Sequence, residues 1–313
     1  MERLVPVVRA MSVFHAVFTA GRMVCRPFQP YLLEGLVLDL PDSMQYLMHD
    51  RLAAWNVSPA EAFRIARDRL SETVDQIEPY LKAGTSTPLW WVANDDDYEA
   101  SRLLIPGWLD AFADRVQGAP VVVVPDRRTV IVGGLENEGH LARLLDLANE
   151  LFLASPRRLS PVPYTVDGAG GIRVLRLPDD HPLAARVKGA ERALGAVEYQ
   201  YQKEFLDEQH GKEGVDLHVA SYKVMRQPDG QEYSLTYWHL GIEALIPRAE
   251  KIAMGIPDAR QPKGIRTRVL TWDQVMRALG ECLSEDPTFQ PVRYRTMREP
   301  NGNELAALEA CLQ

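Results

Sequence analysis

Apolar positions recur along this chain with two periods, and the switches between them divide it into elements. Leu4 to Val8 is a short apolar run that reads as a strand, and Pro6 within it favours the edge of a sheet. Leu32 to Leu40 resumes the strand pattern until Pro41-Asp42 stops it, and Tyr46 to Trp55 reads as a short helix with Leu47, Leu52 and Trp55 inward. Ser58-Pro59-Ala60-Glu61 opens the next helix with a capping serine, a proline in the first turn and a glutamate placed to close a capping box. Ala62, Phe63, Ala66 and Leu70 line one side of that helix, which is expected to end near Val74, and Pro79 to Pro88 reads as a loop.

Trp90 to Ala93 is then a short strand, followed by Asp95, Asp96 and Asp97 at the expected start of a helix. That helix carries Leu103, Leu104, Trp108, Phe112 and Val116, with Pro106 set to kink or divide it and Gly118 just past its end. Val121 to Val124 and Thr129 to Val132 form a hairpin around Pro125-Asp126, and a helix follows from about Asn137 to Ala154. Ser155 to Gly171 is rich in Pro, Ser and Gly and is the expected domain boundary.

Beyond it the pattern gives a strand at Ile172 to Leu177, a long helix from near Pro182 and a hairpin turning at Pro228-Asp229-Gly230. Strands follow at Lys251 to Ile256 and Arg266 to Leu270, then a capping box at Thr271 and Gln274, an irregular stretch from Asp286 and a last helix from Glu304. The fold class expected is therefore α+β, as two mixed modules of residues 1–168 and 169–313, each with a small, largely antiparallel sheet covered by helices.

Composition adds limits. At 313 residues two domains are the default, and 46% hydrophobic with 25% charged residues is ordinary for a globular chain. A net charge of -8 argues against a nucleic-acid surface, and the apolar run from Met11 to Ala20 is too short to span a bilayer and makes a poor signal peptide. Cys25, Cys282 and Cys311 form no CxxC pair, which fits a reducing compartment, so the expected location is the cytoplasm.

The first half resembles the uncharacterised bacterial YtpQ-like family. The residues that carry the likeness are Pro6-Val7-Val8-Arg9, the helix pair from Tyr46 to Leu70, the run from Asp95 through Tyr98-Glu99-Ala100-Ser101-Arg102, Val124-Pro125, and Leu159-Ser160-Pro161. Together they cover about residues 1–170. Against the family pattern the chain is expected to lack an N-terminal portion, carries an extra acidic residue before Tyr98 and has Pro106 inside the helix, and residues 171–313 fall outside it. The resemblance implies a cytosolic α+β domain and brings no catalytic residues with it.

Candidate chemistry is sparse. Asp95, Asp96 and Asp97 offer the oxygen ligands that a hard divalent cation prefers, but consecutive carboxylates rarely converge on one ion, and capping the helix is the better reading. Tyr98, Ser101 and Arg102 share the same first turns; Arg102 either grips an acidic loop through its planar fork or holds an anionic ligand. Gly133-Gly134 lacks the rest of a phosphate loop, no histidine pair has zinc-site spacing, and no serine or cysteine sits in a nucleophile motif. In the second half Tyr222, Tyr233, Tyr237, Trp238 and His239 fall on two strands of one hairpin. Alternation sends some of them to the core and leaves the others on the opposite face, either as a recognition surface or, the better reading from apolar periodicity, as core beneath a covering helix.

Two functions follow as expectations. One is a cytosolic binding or accessory protein, immunity-like in character, that recognises a protein partner without catalysis or cofactor, and without nucleic acid or membrane. The alternative is a metal-dependent hydrolase or phosphate-ester enzyme using Asp95–Asp97 and Arg102 in a cleft between the halves.

Overall fold

A computed structural model of the chain describes residues 3–14, 22–80, 89–258, 260–261 and 264–310. His15, Cys311 and the 81–88 part of the expected loop lie outside them. The fold class is α+β, formed as two compact units, Met1–Leu194 and Gly195–Gln313. Each unit holds two sheets where one was expected. Among the described residues no helix is long and apolar enough to cross a membrane.

The first unit opens with β1 (Leu4–Ala10), β2 (Cys25–Gln29), β3 (Leu32–Leu40) and β4 (Ser43–Tyr46), a sheet in which β3 is central and β1 is an edge. Pro6 is tolerated there because its missing N–H points away from β3. The amide two residues on, Val8, points the same way and donates to Ser101 Oγ at 3.2 Å. Two helices, α1 (His49–Trp55) and α2 (Pro59–Ser71), cover this sheet. Ser58 caps α2 by accepting from the Glu61 amide, and Ala62, Phe63 and Ala66 pack with Leu4, Leu36 and Leu52. Glu34 is buried on β3, where the guanidiniums of Arg26 and Arg67 neutralise it at 2.6 Å each.

The second sheet has six antiparallel strands: β5 (Ile77–Tyr80), β6 (Leu89–Val92), β7 (Pro120–Asp126), β8 (Thr129–Gly134), β9 (Arg158–Val166) and β10 (Ile172–Val174). They lie in the order β10-β9-β7-β8-β6-β5. Helix α3 (Glu138–Ala154), capped by Asn137 through the His140 amide, packs Leu141, Leu144 and Leu145 against Val121, Val123 and Ile131.

Three readings are corrected here. Residues 155–171 hold β9, an interior strand, because the pairing with β7 shifts register near Pro161 and Pro163 and so bypasses the amides that prolines lack. Pro79 lies in β5, which is tolerated because β5 is an edge. The helix expected after Asp97 is two 3-10 stretches, Glu99–Leu104 and Leu109–Arg115. Pro106 excludes the helical conformation at Ile105, whose ψ is 119°, and Gly107 at φ +74° turns the chain between the stretches.

Helix α4 (Ala184–Glu213) contains the division between the units at Leu194/Gly195. The second unit continues with β11 (His218–Val219), β12 (Lys223–Arg226), β13 (Glu232–His239), β14 (Ala244–Pro247), β15 (Lys251–Pro257) and β16 (Ile265–Thr271). It ends with α5 (Trp272–Leu279), β17 (Leu283–Asp286), β18 (Arg293–Thr296) and α6 (Gly302–Ala310). Two mixed sheets result, β11-β14-β18-β17 and β12-β13-β15-β16. The Thr271–Gln274 capping box forms with both of its hydrogen bonds. The expected irregular tail from Asp286 instead contains β18. Helix α6 has a box of its own: Asn301 Oδ1 accepts from the Glu304 amide and Glu304 accepts from the Asn301 amide.

One cation sits deep in this second unit. Arg293 is fully buried and donates to Gln202 Oε1 (2.6 Å), to the carbonyls of Ala220 (2.8 Å), Leu245 (3.1 Å) and Tyr199 (3.2 Å), and lies over the Tyr199 ring. Burial pushes its pKa down to about 10, which leaves it charged at neutral pH.

Candidate functional site

The acidic run of the first unit does not cap a helix. Asp95 and Asp97 have φ of 54° and 63°, a left-handed backbone that no helical turn can contain. The 3-10 stretch begins later, at Glu99, with no side-chain cap. The three carboxylates turn instead to arginines. Arg128 pairs with Asp95, and its Nε lies 3.3 Å from Asp97 Oδ1. Asp96 faces Arg102, whose Nη2 and Nη1 lie 2.5 and 3.4 Å from its two oxygens.

Arg102 is the centre of this assembly and is fully buried. Its Nε donates to Asp75 Oδ1 at 2.8 Å and its Nη1 to the Tyr98 carbonyl at 3.0 Å. Trp108 Nε1 completes the set by donating to Asp75 Oδ2 at 2.6 Å. Burial alone would lower the Arg102 pKa, but hydrogen bonds to the Asp96 and Asp75 carboxylates outweigh it and raise the value. The arrangement fixes the turn between β6 and the 3-10 stretch. Ser101 serves the edge of β1 as described, and burial raises the pKa of the half-buried Tyr98. The Tyr98 carbonyl, the Ser101 hydroxyl and the Arg102 guanidinium are thus each engaged within the chain. Among the described residues, no group of three or more His, Cys, Asp or Glu side chains could hold a metal ion.

Beside this clamp lies a cavity of about 480 Å³ that no local motif marks. Trp91 and Val92 of β6, Glu99, Arg127 and Arg128 of the β7–β8 turn, and Arg157 beyond α3 line it. Glu99 is 2% exposed. Its Oε1 accepts from the Asp96 amide at 3.2 Å, while its Oε2 has no hydrogen-bond partner among the described residues. Burial holds the Glu99 carboxyl above the usual carboxylate range. Arg127 is pushed down by burial and by the charges of Arg9 and Arg157.

The aromatic hairpin of the second unit separates as alternation requires. Ser234, Thr236 and Trp238 of β13 point into the core, where Trp238, 1% exposed, packs among Ile252, Met254 and Leu270. Trp238 is thus a core residue and leaves the recognition set. Tyr222 stacks on Tyr199 of α4 with centroids 5.3 Å apart, so it too lies apart from the strand face.

Tyr233, Tyr237 and His239 remain together on the other face of the sheet. Lys251 Nζ sits 4.2 Å from the Tyr233 centroid and Lys223 Nζ 5.5 Å from that of Tyr237. His239 is exposed and lies across Gly255, where a Cβ would come within 2.2 Å of its Nδ1. Register brings Val269 of β16, 49% exposed, beside Ala253 and Tyr237 on this face.

No family model and no solved structure matches the chain. Over 166 residues it is 24% identical to UPF0354 protein BH3252 of Halalkalibacterium halodurans, a protein of an uncharacterised family. The match covers 52% of this chain and 61% of that protein.

Proposed function

We propose that this is a cytoplasmic binding or accessory protein that recognises a protein partner through the face of the β12-β13-β15-β16 sheet that carries Tyr233, Tyr237 and His239. The observation that carries this is the make-up of the face. Tyr233, Tyr237 and His239 present flat rings that lose little rotamer entropy on contact, and Lys223 and Lys251 are the charges between them. No Asp or Glu shares this face in the strand register from Lys223 to Thr271, so its charge complements an acidic, extended segment of a partner. The opposite face is consumed by the core and is unavailable for this role.

In this reading about residues 1–170, the larger part of the first unit, form a YtpQ-like domain, and Arg102 with its aspartates is its internal brace. The hydrolase alternative has less behind it, since Asp95, Asp96 and Asp97 are each occupied by an arginine.

Crosslinked affinity capture with the full chain tests the proposal. Wild type should retain one defined protein at near-equal stoichiometry, and Tyr237→Ala with Lys223→Glu should release it while melting like wild type. If wild type and this variant retain the same set of proteins, or neither retains any, the reading is wrong.

A further inference from the structure

The cavity of the first unit differs in chemistry from the aromatic sheet face of the second. Its walls come from four separated stretches of chain, and its volume of about 480 Å³ lies within the range of small-molecule sites. Two kinds of group in it lack a counterpart. Arg128 is committed to Asp95 and Asp97, but Arg127 and Arg157 have no carboxylate at ion-pair distance among the described residues. The third side chain is Glu99, buried, with Oε2 unbonded. Burial raises the pKa of that carboxyl, which favours its protonated, hydrogen-bond-donating form.

Two guanidiniums without carboxylate partners call for an oxygen acceptor that carries negative charge, and a carboxyl whose proton burial favours can donate to the same group. Asp126 and Asp95 also line the cavity; the Arg128 side chain neutralises Asp95, while Asp126 Oδ1 accepts from the Arg128 backbone amide at 2.9 Å and keeps its charge, one carboxylate against the two guanidiniums of Arg127 and Arg157. Ser155 adds a hydroxyl whose oxygen already accepts from the Arg157 amide, so its proton is free for a ligand.

We infer that this cavity binds a small organic oxyanion, its carboxylate or phosphate group held between Arg127 and Arg157 and accepting a hydrogen bond from Glu99. The inference does not rest on the partner surface of the second unit.

Calorimetric titration of the full-length protein with inorganic phosphate and, separately, with succinate at matched ionic strength tests it, with chloride as the blank. Saturable one-site binding of either probe is expected; the probe that binds identifies the group as phosphate or carboxylate. Arg127→Gln and Arg157→Gln should each weaken it about tenfold or more, the scale of one lost charge-assisted hydrogen bond. Glu99→Gln still donates from its amide and should retain binding, whereas Glu99→Ala should weaken it. Arg157 is exposed, so its variant folds and carries the test even if the Arg127 variant does not. The inference is overturned if neither probe saturates, or if the affinity ignores both arginine substitutions, which would mean ionic screening only.

Discussion

Replacing Arg102 with methionine removes a cation and keeps most of its volume, so the result isolates the clamp. In wild type the guanidinium is 0% exposed while the side chains of Asp75 and Asp96 are 11% and 29% exposed. The substitution leaves both carboxylates facing a site that no longer holds positive charge, and it strips Trp108 of a fixed acceptor. Breaking a buried ion pair from one side costs about 3–5 kcal/mol. Asp96 can swing toward water, which places the expected loss near the lower end, about 3 kcal/mol. For a unit of this size that corresponds to a melting temperature lower by about 6–12 °C. Urea titration gives the free energy, and hydrogen exchange should show β6 and the 3-10 stretch losing protection first. Adding Asp75→Asn and Asp96→Asn to Arg102→Met should recover part of the loss, because the stranded charges are then gone. The reasoning is refuted if Arg102→Met stays within about 0.5 kcal/mol of wild type, the range of ordinary surface substitutions.

Three other expectations can be measured with the same material. A carboxyl held above its unfolded value binds its proton more tightly in the folded state, so Glu99 should cost stability as pH rises from about 4.3 toward neutrality. Glu99→Gln should flatten that decline and melt higher than wild type at pH 7; equal pH profiles would contradict the assignment. Glu304 is the reverse case, its carboxyl lowered to about 2 by Arg298 and by the Asn301 amide. Its contribution is present above about pH 4.3 and is lost as pH falls through about 2, so protection of α6 amides should fade across that window in wild type and less in Glu304→Gln. Thr236 Oγ1 is buried without a hydrogen-bond partner among the described residues, so the isosteric Thr236→Val should raise stability in chemical denaturation, and a clear loss would mean the hydroxyl has an acceptor.

What could be read beforehand was local. The serine cap before α2, the nine residues of β3, the two hairpins and the Thr271–Gln274 box all depend on neighbours within a few positions, and the chain spells them out. β9 was hidden because its prolines look like breakers until the shifted pairing with β7 is known. Asp75 could not be singled out either. It lies 27 residues before Arg102, in a stretch without a motif, and only the pairing of β5 with β6 brings it near. The cavity is the extreme case, since β6, a hairpin turn, a 3-10 start and a helix exit, far apart in the chain, all contribute to its lining. The aromatic hairpin stood between these limits: alternation announced that its rings would separate, and the core partners of Trp238 decided which way.

The buried Arg293 also sets where this chain can be cut. Two of its acceptors, the Tyr199 carbonyl and Gln202 Oε1, belong to the later turns of α4, ninety residues upstream of it. A fragment begun after the helix, at Val215, would contain every strand from β11 to β18 yet enclose a guanidinium stripped of those oxygens. One begun at Ala184 carries them along. Expression boundaries for the C-terminal half therefore belong ahead of the helix, although a glance at strand content alone would put them behind it.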